Sequence, residues 1–192
     1  MKSIIKATLL ISAVSFGLSG CMTTSQSMGA MAHTSMVGGA EMLPTRNIIE
    51  NAVNSADHTT LVAAVKAAGL VDTLSGAGPF TVFAPTNAAF AKLPAGTVET
   101  LLQPANKAML QSVLTYHVVP GRLTAANLMS MIRAGGGAAR LTTVNGATLT
   151  ARMMNGGIVL IDGKGGTSHV TQANVMQSNG VIHVTDSVSL PG

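Results

Sequence analysis

Apolar positions along the chain follow two different periods, and the period changes near residue 135. Between residues 46 and 132 they recur at helical spacing, as in Met109, Leu110, Val113 and Leu114, which share one face of a helix. From residue 140 onward they form short runs rich in Val, Ile, Thr and Leu, which is typical of strands. The pattern therefore predicts a mostly helical half followed by a half of strands.

Capping residues divide the helical half into separate helices. Thr86 and Thr124 each precede a helical pattern and are residue types that favour a helix N-terminus. Asp57 is expected to cap a helix that ends at Gly69, a residue type favoured at helix C-termini. Residues 80–83 are the one strand expected in this half.

Four Asx-Gly pairs punctuate the second half, and such pairs favour tight hairpin turns because they tolerate positive φ. The pairs are Asn145-Gly146, Asn155-Gly156, Asp162-Gly163 and Asn179-Gly180. The strands between them are predicted near residues 140–144, 147–153, 158–161, 169–175 and 181–188.

Residues 1–20 have the features of a bacterial lipoprotein signal peptide. Lys2 and Lys6 precede an apolar stretch at residues 7–18, which is shorter than the roughly 20 residues that span a bilayer. The run Leu18-Ser19-Gly20-Cys21 follows and resembles a lipobox, in which small residues precede a cysteine that receives diacylglycerol. We therefore expect cleavage before Cys21 and further acylation, for example by palmitate, since two or three acyl chains anchor a protein stably.

Residues 21–44 are expected to form the lipidated cysteine and a flexible tether, because no apolar period is sustained there. Met22 rather than Asp follows Cys21, which in a cell with two membranes favours the outer membrane. The tether also offers an alternative function, since thioether and imidazole groups suit Cu(I). The candidate copper ligands are Met28, Met31, His33 and Met36.

Charged residues are sparse along the sequence, and the basic ones form no run. Charged residues make up 9% of the chain, against roughly 25% in a typical soluble domain. The net charge is +4, and from residue 21 onward 9 basic residues face 7 acidic ones, which leaves +2. No Lys or Arg adjoins another, and the chain has no Trp and one Tyr, so the basic clusters and stacking rings of a nucleic-acid surface are missing. We expect no nucleic-acid partner.

The residues form no constellation that indicates catalysis. There is no Gly-x-Ser-x-Gly elbow, and the His residues at 33, 58, 117, 169 and 183 lack the pair spacing of a catalytic zinc site. The glycine-rich run at 163–167 lacks the order of a phosphate-binding loop and fits a hairpin turn. The single cysteine is assigned to lipidation. We therefore expect no enzyme activity and no cofactor other than the covalent lipid on Cys21.

Three separated patches of sequence resemble the fasciclin domain. They are FTVFAPTNAAFAKL at residues 80–93, LTYHVVPG at 114–121 and NGVIHVTDSVSLP at 179–191. In this order they extend the resemblance over residues 45–191, a whole domain. The resemblance implies an α/β (α+β) fold in which helices surround a β-wedge of two small sheets.

The resemblance also implies a function, that of a secreted or surface-attached interaction module, commonly adhesive and without a cofactor. Together with the signal that ends at Cys21, it predicts an exported, monomeric protein of the cell envelope. Such a protein binds a protein or matrix partner and touches the membrane only through its lipid. The alternative is a periplasmic or surface protein that binds copper or a small ligand through the tether.

Two pairs of residues stand out because of the resemblance. Tyr116-His117 matches a pair often discussed in the family as a binding determinant. His117 continues the apolar stripe of the preceding helix, which predicts an inward side chain with a structural role, whereas Tyr116 is expected to be partly exposed. Animal members associated with integrin binding have an Asp-Ile pair where this chain has Asn174 and Val175, so the missing charge argues against metal-dependent recognition by an integrin.

The third patch places an acid and a histidine on opposite faces of one predicted strand. Asp186 shares the parity of Ile182 and Val184, whereas His183 lies on the other face. An acid on an apolar face is either functional or a satisfied hydrogen-bond acceptor. No second carboxylate stands near Asp186 in sequence to form an acid/base pair, which favours the acceptor.

Overall fold

Seven α-helices and nine strands occur in residues 34–192, the part of the chain that the computed structural model describes. The helices are α1 (Ile48–Ala52), α2 (Thr59–Ala68), α3 (Val71–Ser75), α4 (Asn87–Ala91), α5 (Thr97–Leu102), α6 (Lys107–Tyr116) and α7 (Ala125–Ala134), and two 3-10 turns lie at Ala56–His58 and Pro104–Asn106. The strands are β1 (Ser35–Val37), β2 (Ala40–Met42), β3 (Phe80–Pro85), β4 (Val118–Pro120), β5 (Ala138–Thr142), β6 (Thr148–Met154), β7 (Gly157–Ile161), β8 (Thr167–Gln177) and β9 (Gly180–Thr185).

Seven strands form one continuous ladder in the order β4-β3-β9-β8-β7-β6-β5. Only β3 and β9 run parallel, and every other pair in the ladder is antiparallel. The long strand β8 belongs to two sheets, because its first residues pair with β7 and the rest pair with β9. Register shifts between Val170 and Val175 bend it. The expected α/β fold with surrounding helices is confirmed, and its two groups of strands are joined through β8 into one seven-stranded sheet.

Two apolar cores lie on opposite faces of the central strands. Along β3, Val82 and Ala84 enter the first core, whereas Phe83 enters the second. Strands β3 and β9 are therefore buried on both faces, as is usual for parallel neighbours. The first core is closed by helices α1, α2, α3 and α6, and the second by α7, whose Leu128 and Ile132 pack against β5–β7.

The first two strands form a hairpin that packs onto the first core. Val37 and Met42 are only 6% and 2% exposed. Gly38 adopts a positive φ of 56°, and a Cβ there would lie 2.5 Å from Ser55 Oγ, so the turn requires glycine. The backbone N–H of Ala56 donates to the Gly38 carbonyl at 3.2 Å, which fixes the hairpin to the domain.

The structure thus differs from the flexible tether expected over residues 21–44. Residues 35–42 are folded onto the domain. The sequence gives no sign of these strands, because each has three residues and buries only one side chain, which is too short for an alternation of apolar and polar residues to be visible. Met36 of β1 is 61% exposed. Cys21, Met28, Met31 and His33 lie outside the described residues, as do the signal peptide and the lipidation predicted there.

Local turn and cap chemistry decides where most of the other elements begin. The hydroxyls of Thr86 and Thr124 accept the N–H of Ala89 and Asn127, at the starts of α4 and α7, as predicted. Asp57 does not cap α2, because it lies inside a 3-10 turn and the helix begins at Thr59.

The four Asx-Gly pairs are not equivalent. Only Asn155 and Gly156 both have positive φ, 51° and 79°, and they form the tight turn between β6 and β7. Asn145 instead accepts the N–H of Ala147 through its side chain at 2.9 Å.

Candidate functional site

The side chain of Tyr116, at the end of α6, is fully buried. Its hydroxyl donates to the carbonyl of Thr148 and accepts the N–H of Gly163, both at 2.9 Å. Burial raises the pKa of this phenol above its ordinary value. The expectation of a partly exposed Tyr116 is wrong. Its hydroxyl is buried because it bonds to the start of β6 and to the loop after β7, and both partners are distant from Tyr116 in sequence.

His117 points inward, as the helical stripe predicts, and is 3% exposed. Its Nε2 accepts the backbone N–H of Ser189 at 3.0 Å, so Nδ1 carries the proton and donates to the Val113 carbonyl at 2.8 Å. Burial lowers the pKa of His117, which keeps the ring neutral. The next backbone N–H, that of Leu190, donates to Asp162 Oδ2 at 2.8 Å. His117 and Asp162 therefore hold consecutive residues of the C-terminal segment.

His183 occupies the opposite face of β9 from Ile182 and Val184, as expected, but both faces are buried. Its ring stacks on Phe83 with centroids 5.6 Å apart. Nε2 donates to the Leu123 carbonyl at 2.8 Å, and burial lowers the pKa of the imidazole. His183 therefore packs against the second core through Phe83.

Asn174 and Val175 lie at the second register shift in the pairing of β8 with β9. Asn174 has a positive φ of 61°, and its Oδ1 accepts the N–H of Ala125, the first residue of α7, at 2.7 Å. Its own N–H donates to His183 Nδ1 at 3.4 Å. Val175 is 1% exposed. Asn174 thus links the bend of β8 to α7, and Val175 belongs to the first core.

Asp186 lies one residue beyond β9 and is a satisfied acceptor near the surface. Its Oδ1 accepts the backbone N–H of His169 at 2.8 Å, and Oδ2 lies 3.3 Å from Lys92 Nζ. Burial by itself raises the pKa of Asp186, but the bond from His169 and the Lys92 ammonium outweigh this and lower it. The side chains of Lys92 and Asp186 are 56% and 34% exposed, so the pair is partly screened by water.

His58 is a buried histidine that the sequence did not single out. It is 3% exposed, and its Nδ1 lies 2.9 Å from Ser55 Oγ, whose single proton is donated to the Val37 carbonyl at 3.2 Å. Its Nε2 has no hydrogen-bond partner among the described residues. Burial lowers the pKa of His58. The ring lies beneath the β1–β2 hairpin and next to the first core, enclosed by apolar side chains.

Two further polar groups that the sequence reasoning missed hold the chain near the end of β8. Arg122 donates from Nη2 to the carbonyls of Gln177 and Ser178, both at 3.1 Å. Asn179 Oδ1 accepts the N–H of Ile48 at 3.0 Å. The Asn-Gly pair marks Asn179 as a turn residue, but no sequence signal indicates its contact with α1 or the two carbonyls held by Arg122.

The predicted site residues therefore form two separate groups rather than one cleft, and most of their side chains are buried, although Asn174 is exposed. Tyr116 and His117 adjoin each other, with ring centroids 6.4 Å apart, and Asn174 contacts His183, whose ring stacks on Phe83 of the second core. Asp186 stands apart from both. Among residues 34–192, no three His, Cys, Asp or Glu side chains are placed to hold a metal ion. None of the helices in that range has the length and apolar character needed to cross a membrane.

Both the sequence and the fold match known proteins. A family profile described as Fasciclin domain matches residues 56–191, and the chain belongs to this family. It is similar to protein sll1483 of Synechocystis sp., with 51% identity over 144 residues that cover 75% of this chain and 73% of that protein.

Two further proteins resemble this chain, one in sequence and one in fold. The cell surface glycolipoprotein MPB83 of Mycobacterium bovis is 38% identical over 122 residues, which cover 64% of this chain and 48% of that protein. The solved FAS1 domain pair from the insect cell adhesion molecule Fasciclin I superposes with a TM-score of 0.67 at 19% identity, covering 76% of this chain and 51% of that chain. This second likeness establishes the fold.

Proposed function

We propose that this chain is an exported, lipid-anchored module of the cell envelope that binds other surfaces and performs no catalysis. The observation that carries the proposal is that the residues singled out by the family resemblance are used to hold the fold together. The side chains of Tyr116, His117, His183 and Asp186 use their polar atoms in contacts that hold the fold, and the exposed Asn174 uses its Oδ1 to accept the N–H of Ala125. Recognition is thereby left to exposed side chains, as in a binding module.

Two further observations support export and anchoring. The sequence of residues 1–21 has the order of a lipoprotein signal, which ends at Cys21. A relative that is 38% identical bears the name cell surface glycolipoprotein. In this proposal the acylated Cys21 provides the membrane contact, and the domain carries a binding surface for a protein or matrix partner.

Anchoring is tested by comparing the full chain with Cys21→Ser in the native cell. We expect a labelled fatty acid to enter the wild-type protein and not the variant, and the variant to leave the membrane fraction. Ser12→Thr, a conservative change within the apolar stretch of the leader, is the matched control and should be labelled like the wild type. Equal labelling of wild type and Cys21→Ser would contradict the anchor.

Surface binding is tested by adhesion. Cells that lack the gene are expected to attach more weakly to their own kind or to extracted matrix than cells that carry it. Wild-type protein should restore attachment, and Cys21→Ser should not, because an unanchored module cannot connect two surfaces. Unchanged attachment in all strains would contradict the proposed function.

A further inference from the structure

Charge is unevenly divided between the two halves of the folded chain. Residues 34–106 contain 3 basic and 5 acidic residues, whereas residues 107–192 contain 6 basic and 2 acidic residues. Residues 107–192, which include helices α6 and α7 as well as strands β4–β9, are therefore net +4, and residues 34–106 are net −2. The modest total charge hides this separation.

Both carboxylates of the positive half are engaged within the fold. Asp162 accepts the N–H groups of Lys164, Gly166 and Leu190. Asp186 accepts the N–H of His169 and pairs with Lys92, the one ion pair within residues 34–192. Neither carboxylate forms an ion pair with the arginines of this half.

The strand register brings two of those arginines together on one sheet face. Arg140 lies opposite Thr150, and Arg152 lies two residues further along β6, opposite Ala138. Such diagonal neighbours are about 7–8 Å apart. Both arginines are exposed, and neither guanidinium has a hydrogen-bond or ion-pair partner among the described residues.

The same face continues across four strands without an acid. We call it the outer face of β5–β8. Its rows, taken from the cross-strand partners, are Ala138-Arg152-Val159-His169, Arg140-Thr150-Ile161-Thr167 and Thr142-Thr148. Helix α7 packs on the opposite face, against Leu141 and Leu149 among others. The outer face thus presents two arginines, an exposed histidine and several threonines around Val159, which is 3% exposed, and the half-buried Ile161.

We propose that the outer face of β5–β8, centred on Arg140 and Arg152, binds an acidic polysaccharide. Guanidinium groups pair well with carboxylate and sulfate, and the threonine hydroxyls between them can hydrogen-bond sugar hydroxyls. A nucleic acid is less well matched, because none of the positions on this face is Trp, Tyr or Phe, so no such ring is available there for bases to stack on. This inference rests on the proposed function and names the partner class of that binding surface.

The test measures binding of the full chain to immobilised alginate, a polyuronate, with neutral dextran as the reference. The informative variant is Arg140→Gln/Arg152→Gln. Its matched control is Lys66→Gln/Lys107→Gln, which removes the same net charge from exposed positions on α2 and α6. Wild type and control should bind alginate, weakening as salt rises. The arginine variant should lose at least about tenfold in affinity, since surface charges of this kind govern association and its salt dependence.

Several results would overturn the assignment. An equal loss in the lysine control would mean that net charge alone matters. Binding of wild type to vesicles containing phosphatidylglycerol but not to alginate would make the face a membrane contact. Aggregation of the arginine variant with unchanged alginate binding would show that the arginines only protect the edge strand β5. Thermal unfolding of each variant is measured alongside, to check that the fold is retained.

The failure of this inference is distinguishable from failure of the proposed function. If the anchored chain still supports cell attachment but the purified protein does not bind alginate, the polysaccharide assignment is wrong and the surface-binding function is retained. If purified protein binds alginate but cells attach equally with and without the gene, the adhesive function falls.

Discussion

The Nε2 atom of His117 accepts the backbone N–H of Ser189 at 3.0 Å, across 72 positions of sequence. This bond joins the end of α6 to the C-terminal segment, inside the domain. Together with the bond from Nδ1 to Val113, it uses both nitrogens of the imidazole. His117 therefore has no ring nitrogen left for a partner molecule.

The first prediction is that His117→Ala lowers stability. The substitution leaves the Ser189 N–H and the Val113 carbonyl without their side-chain partner, at a cost of about 1–3 kcal/mol for each buried group left unpaired. Denaturant unfolding of the full chain measures the loss. Lys107→Ala, on the exposed side of α6, should change the free energy of unfolding by no more than about 0.5 kcal/mol. A His117→Ala protein of wild-type stability that no longer bound a partner would make the Tyr-His pair a recognition site.

The second prediction concerns pH. Burial lowers the pKa values of His58, His117 and His183 in the folded state. Below the ordinary value of about 6.5, the unfolded chain therefore binds more protons than the folded chain. Stability should fall as pH decreases through about 6.5, by up to about 1.4 kcal/mol per pH unit for each ring. Free energies of unfolding measured between neutral and mildly acidic pH test this.

Variants separate the buried rings from other acid effects. His183→Gln removes one buried imidazole and should make the fall in stability with decreasing pH less steep. The comparison of His183→Gln with the wild type over the same pH range isolates the contribution of this one ring. A stability that stayed constant from neutral pH into mild acid would contradict the argument.

The strand half of the fold could be predicted closely from sequence, because its turns carry local signals. The strands expected at residues 140–144 and 147–153 are found at 138–142 and 148–154, on either side of the turn at Asn145. The helices that follow Thr86 and Thr124 were found for the same reason, since a cap is a contact within three residues.

What could not be predicted depends on contacts between distant residues. Tyr116 is buried because Thr148 and Gly163 satisfy its hydroxyl, and neither can be paired with it by period or spacing. The β1–β2 hairpin was missed because each of its strands buries one apolar residue. The charged outer face emerges only from the register that places Arg140 near Arg152.

The third prediction is that Tyr116→Phe destabilises the protein, although the substitution removes only one oxygen atom. The Thr148 carbonyl and the Gly163 N–H both lose their partner, which costs about 1–3 kcal/mol. The ring itself remains, so the apolar packing around it is unchanged and the loss reports on the hydroxyl. Denaturant curves should show a lower midpoint with the same slope. An unchanged midpoint would show that water replaces the hydroxyl at this position.

The fourth prediction tests whether the β1–β2 hairpin is part of the stable fold, by comparing one methionine on each of its strands. Met42 is 2% exposed in the first core, whereas Met36 is 61% exposed. Met42→Ala should lower the free energy of unfolding by about 2–5 kcal/mol. Met36→Ala should change it by less than about 0.5 kcal/mol. Equal, small effects would mean that the hairpin is not part of the cooperative fold.

The last prediction separates the two contacts of Asp186. Lys92→Ala removes only a partly exposed ion pair and should cost no more than about 1 kcal/mol. Asp186→Asn removes the charge but keeps an oxygen that accepts the His169 N–H, so its effect should be similar. Asp186→Ala removes that acceptor as well and should cost a further ~0.5–1.5 kcal/mol. Denaturant unfolding of the three variants beside the wild type measures these differences.

Acid provides an independent check on the same residue. Because the pKa of Asp186 is lowered in the fold, its contribution is present above the ordinary carboxyl pKa and is lost as pH falls through the lower folded value. The difference in stability between wild type and Asp186→Asn should therefore shrink in strong acid. If Asp186→Asn were as damaging as Asp186→Ala, the charge and not the hydrogen bond to His169 would hold β8 to the end of β9.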